Sequence, residues 1–77
     1  MTKVILKALT RISVRSQPNN LSSELYKLNI GDTAEALVPD TDPVAYPEFI
    51  YYPIIKGGFI AVYSNISRIY LCEVVYD

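Results

Sequence analysis

Along this 77-residue chain apolar and polar residues alternate over short runs, and Pro, Gly, Asn or Asp breaks each run before a helical period can develop. Side chains alternate between two faces of a strand, so this pattern specifies short strands joined by turns. The fold class expected is all-β, a small barrel of about five to seven short antiparallel strands. In Lys3 to Leu9, the residues Val4, Leu6 and Ala8 make the core face, and Lys3, Ile5 and Lys7 make the other. Glu24 to Leu28 and Thr33 to Val38 read as strands around a turn, Asn29 to Asp32, that needs Gly31 at positive φ. Phe49 to Lys56 and Phe59 to Tyr63 form a hairpin whose Gly57-Gly58 pair signals a primed turn. Ser64 to Ser67 should make a single 3₁₀ turn, since Ser and Asn favour local side-chain bonds to the backbone. Ile69 to Tyr76 is the last strand. Tyr70, Cys72, Val74 and Tyr76 compete with Ile69, Leu71 and Val75 for its inward face, so its register stays open; Glu73 spoils the second set and favours the first beyond Cys72, with a bulge near Leu71. Three prolines and two aspartates between 39 and 48 mark a long, stiff loop.

The chain reads as one domain, 1–77, close to the size at which a single core just suffices, so a partner or self-association would add stability. Hydrophobic residues are 51% and charged residues 19%, which argues against disorder. The net charge is −1 with the basic residues scattered, so nucleic acid is not expected as a partner. One cysteine and no histidine leave no intramolecular disulfide, no ordinary zinc site and no common general base. We therefore expect no catalysis, no cofactor and no metal. Asp40 and Asp42 are too few for a calcium loop, and Cys72 reads as buried filler. No apolar run reaches the roughly 20 residues of a membrane span. Lys3 interrupts the apolar start and argues against a signal peptide, so a cytoplasmic or virion-associated protein is expected.

The order of these features resembles that of bacterial SH3-like domains. Ile12, Val14, Arg15, Ser16 and Pro18 match that family's first strand and loop. Leu25, Leu28, Gly31 and Thr33 match its second strand and turn, and Gly58-Phe59-Ile60 with Tyr70-Leu71 match its later strands. Gln17 and Tyr26 replace customary glycines, Ala34 and Ala36 replace β-branched residues, and Phe59 stands where a Trp is customary. The resemblance implies an SH3-like barrel that binds rather than catalyses. It also implies that Arg15 holds a loop by hydrogen bonds to backbone carbonyls, and that Ile60 belongs to the core.

Seven tyrosines beside two phenylalanines are the strongest functional signal, because Tyr offers a large amphipathic contact at low entropic cost. Both faces of Phe49 to Ile55 are apolar, so one should fill the barrel and the other needs cover. Tyr51, Phe59, Tyr63 and Tyr46 are expected to form an exposed aromatic patch, with Asp40 and Asp42 beside it as further ligand-binding residues. The function expected is recognition of a protein or peptide. A homo-oligomeric structural subunit, phage or host encoded, is the alternative. A cell-wall peptide is a third ligand class, implied by the family resemblance alone.

Overall fold

The computed structural model describes residues 2–38 and 48–76, and within them the chain is all-β with eight short antiparallel strands. These are β1 (Thr2–Ala8), β2 (Ile12–Arg15), β3 (Glu24–Leu28), β4 (Thr33–Val38), β5 (Phe49–Pro53), β6 (Phe59–Ser64), β7 (Ile69–Tyr70) and β8 (Cys72–Tyr76). They form two sheets, one ordered β4-β1-β8 and the other β3-β2-β6-β5, with β7 paired to β6. The sheets meet where Ala36 bridges Ile54 and where the Ile55 amide donates to the Glu35 carbonyl at 3.0 Å. The result is a small barrel-like fold. No helix among the described residues is long and apolar enough to cross a membrane.

Alternation on β1 works as expected: Val4, Leu6 and Ala8 are buried and meet Ile12, Val14, Ile60, Val62 and Cys72 in one core. Ala36, which stands where a β-branched residue is customary, is also fully buried and lies opposite Val4 on β1. On β3 only Leu28 enters the core, while Leu25 stays half exposed; among the described residues this strand pairs with β2 alone. Neither face of β5 is fully buried. The expected division of that strand into a core face and a face in need of cover is therefore softened along its whole length.

Two turns differ from expectation. The β5–β6 connection is not a primed two-residue turn. The Gly57 amide donates to the Ile54 carbonyl and the Ile54 amide to the Gly58 carbonyl, both at 2.9 Å. Positive φ falls on Gly57 and Gly58, not on Ile55 or Lys56. This is a three-residue loop ending in a glycine bulge, which spares Ile55 and Lys56 the left-handed conformation. The single 3₁₀ turn expected at Ser64 to Ser67 is instead a wider turn over residues 65–68, closed by an i to i+4 bond. The Arg68 amide reaches the Ser64 carbonyl at 2.8 Å, the Ser64 hydroxyl accepts from the Ser67 amide, and Arg68 itself adopts φ 58°.

Arg15 does what the family resemblance implies. Its guanidinium donates to the Ser22 carbonyl at 2.9 Å, and the Ser16 amide donates to the Ser23 carbonyl, so the loop after β2 is tied across its neck. The Gly31 turn is also as expected, with φ 90° and the Asp32 carboxylate accepting from the Asn29 amide at 2.8 Å.

Gly58 is the tightest of these positions. A Cβ there would sit 2.7 Å from Val14 Cγ1 and 3.2 Å from the Arg15 carbonyl, whereas one at Gly57 would meet nothing within 4 Å. Gly57→Ala should cost about 1 kcal/mol through its positive φ alone. Gly58→Ala adds overpacking against β2 and should cost about 2–4 kcal/mol. Urea denaturation of both variants checks the order, and equal losses would contradict it.

Candidate functional site

Aromatic residues line β5 and β6 on both sides of a register shift. Before the shift, Pro53 lies opposite Phe59 and Tyr51 opposite Ala61. After it, Ile50 lies opposite Tyr63 and Phe49 opposite Ser64. Tyr51, Pro53 and Phe59 thus share one sheet face, and Phe59 continues across to Arg15 on β2. Phe49 packs edge-on to Tyr51, with ring centroids 6.3 Å apart, so these rings partly cover one another. Burial is the main reason the Tyr51 phenol holds its proton above the usual range, with Arg15 opposing and Glu48 reinforcing the shift.

Tyr63 lies two residues beyond Ala61 on β6, past the shift. It lies opposite Tyr70 on β7 and packs edge-on against it, with centroids at 4.8 Å. Among the three described residues expected in one patch, Tyr51 and Phe59 thus lie on one side of the shift and Tyr63 on the other along the strands. Tyr46, Asp40 and Asp42 lie outside the described residues.

Beyond Tyr70 the chain makes the feature that residue-by-residue reading missed. Leu71 breaks the last strand: its amide donates to the Val62 carbonyl at 2.8 Å and its carbonyl accepts from the Leu9 amide at 2.9 Å. Tyr70 therefore stays with β6, while β8 moves across to pair with β1 from Val4 to Ala8. Along β8, Cys72 is fully buried, Val74 is half-buried and Tyr76 is 67% exposed. The inward set Tyr70, Cys72, Val74 and Tyr76 is thus buried in its middle and emerges at its ends.

An open depression of roughly 500 Å³ results, lined by Leu9, Tyr52, Tyr70, Val74 and Tyr76, with Cys72 in its floor and Glu73 on its rim. Tyr52 lies opposite the core residue Ile60, so its ring reaches this mouth of the barrel from the β5 side. Its phenol is held above the ordinary range by burial first, then by the neighbouring Tyr76 and Tyr70 hydroxyls. The Tyr52 phenol therefore keeps its proton near neutral pH and can both donate and accept a hydrogen bond. The signal for this site was present as the period-2 spacing of Tyr70, Cys72, Val74 and Tyr76.

Elsewhere the polar groups serve the scaffold. The Ser13 hydroxyl donates to Glu24, and that bond, with weaker attraction from Lys27 and Arg15, lowers the Glu24 carboxyl below its usual range despite some desolvation. Lys3 and Glu35 pair at 3.4 Å on the surface. Among the described residues no group of three or more His, Cys, Asp or Glu side chains comes together. Compared with known proteins, the chain matches no protein-family model, no curated protein and no solved structure.

Cys72 gives a test of the mouth's floor. Its thiol approaches the Ala61 carbonyl at 3.7 Å, and burial pushes its pKa from 9.0 up to about 11. The unfolded chain releases this proton first as pH rises, so the contribution of Cys72 to stability is constant below pH 9 and is lost as pH climbs through about 11. Native protein at pH 8 should resist iodoacetamide and react only when unfolded. Cys72→Ala should flatten this part of the stability profile, and rapid labelling of the native chain would contradict the burial.

Proposed function

We propose that this chain is a non-catalytic binding module that takes a protein or peptide ligand at the tyrosine-lined mouth of its barrel. The observation that carries the reading is the mouth itself: a concavity of roughly 500 Å³ presenting Tyr52, Tyr70 and Tyr76, the last two 62% and 67% exposed. Concave, mostly apolar sites with a few convergent polar groups are where ligands bind. Tyrosine rings held on strands offer contact area without a large ordering cost. The residues shared with bacterial SH3-like domains support the same class of function, since those domains bind rather than catalyse.

Self-assembly is the second reading, favoured by one specific observation. Among the described residues β3 has a strand partner on one side only and exposes Leu25 and Tyr26, and an open edge with apolar side chains is a surface for pairing with another copy.

Selection of random peptides against the native chain, with Tyr70→Ala/Tyr76→Ala as counter-target, separates the two. Enriched peptides should bind the native chain at least about tenfold more tightly than the variant, as expected when exposed aromatic anchors are truncated. The variant should keep its thermal midpoint, because neither ring belongs to the core. No enrichment, together with a defined oligomer by light scattering, would replace the binding reading with assembly.

A further inference from the structure

The ladder between β3 and β2 sets Leu28 opposite Ile12, Lys27 opposite Ser13 and Tyr26 opposite Val14, and then shifts, so that Glu24 faces Arg15 and Leu25 is the extra residue. In a regular strand residues 24 and 27 would point to opposite faces. The bulge at Leu25 puts them on one face instead. Two contacts show it: the Ser13 hydroxyl donates to Glu24, and the Lys27 ammonium lies 3.7 Å from the Glu24 carboxylate. Between these charges stand Leu25 and Tyr26, 53% and 44% exposed.

Among the described residues β3 pairs with β2 alone, so its other edge has backbone groups to offer a further strand. Its charges restrict which strand that is. Lysine and a bulge are the usual means by which an open edge discourages chance partners. A second copy of β3 is the exception. Antiparallel pairing about a two-fold axis between Leu25 and Tyr26 sets Glu24 opposite Lys27 of the second copy, and Lys27 opposite its Glu24. Because the bulge holds Glu24 and Lys27 on one face, the four charges alternate in sign across the junction. The same axis sets Leu25 against Tyr26 of the second copy, twice, and removes both from water. An axis through Tyr26 would set Lys27 against Leu25, and one through Leu25 would set Glu24 against Tyr26, so neither pairs the charges. A contact of this isologous kind closes as a dimer.

We propose that β3 is a dimer edge, on which two copies of this chain pair antiparallel through Glu24–Leu28 with Glu24 and Lys27 in two reciprocal ion pairs. This rests on the assembly reading of the β3 edge. None of the residues lining the mouth lies on β3, so the pairing makes no use of the mouth.

Sedimentation velocity over a concentration series tests it. So short an edge should give a weak dimer, half formed at about 10–100 μM. Glu24→Lys and Lys27→Glu each set like charges together at both ends of the pair, and each variant alone should dimerise at least about tenfold more weakly. Mixed in equal amounts, the two variants carry complementary edges and should form a heterodimer about as tight as the native dimer. A substitution that merely disturbs the fold would not be rescued by mixing, and the double reversal Glu24→Lys/Lys27→Glu, which restores both pairs, should dimerise like the native chain. Weakened variants that recover neither on mixing nor in the double reversal would overturn the ion pairs. Dimers that persist in both single variants would overturn this register and leave assembly standing through another surface. A native chain that stays monomeric up to about 1 mM would overturn the pairing and the assembly reading together.

Discussion

Leu71 is hydrogen-bonded on both sides, to Val62 on β6 and to Leu9 just past β1, and the rest of the barrel depends on that double attachment. β6 has one edge to offer on this side and shares it, with Val14 and Arg15 taking the end near the hairpin and Ile69 and Tyr70 the other. A single continuous last strand could pair with β6 or with β1, but not with both. By breaking at Leu71 the chain pairs with each in turn, so the two sheets are joined without a long loop. Backbone groups left unpaired at such a corner would be costly, and Leu71 leaves neither its amide nor its carbonyl in that state.

The same corner explains how a small core supports an open site. Cys72, immediately after the break, is fully buried and closes the core beneath the mouth. Tyr70 and Tyr76, at the two ends of the same side-chain row, pass beyond the reach of the opposite sheet and stay exposed. The strand backbones, held by ladder bonds to β6 and β1, fix the directions of these rings. Binding energy then need not be spent on ordering the site. At the far end of β6, Gly58 plays the complementary part, since only the absence of a side chain lets the hairpin close against Val14 and the Arg15 carbonyl.

Much of the fold was legible because burial is one-sided in most strands. Val4, Leu6 and Ala8 alternate with Lys3 and Lys7, and a slip of one residue would expose the whole set, so the face of β1 admits one reading. Gly31 was legible through local turn chemistry that needs no tertiary context, whereas the part played by Arg15 followed only from the family resemblance. The register of β5 on β6 was not legible, because Phe49 to Ile55 is apolar on both faces and a shift there transfers no polar residue into the core. Past that shift Tyr63 lies opposite Ile50 on β5 and packs against Tyr70 on β7. The mouth was half legible: the even-numbered row of the last strand was favoured as inward with its register left open, and the passage of the chain from β6 to β1 at Leu71 is fixed by backbone bonds that no side chain announces. The turn after Pro53 was misjudged for a related reason. Two adjacent glycines fit a primed turn and a glycine bulge equally well, and only the Gly57 to Ile54 bond separates them.

Amide hydrogen exchange resolved by residue tests the corner most directly. If Leu71 joins β6 to β1, the Leu71 and Leu9 amides exchange as slowly as the core amides of β6, because they open only when the barrel opens. Fast exchange at Leu71 and Leu9 while β6 remains protected would mean that β8 is not held to the rest of the barrel, and the account of both the closed core and its aromatic mouth would fail.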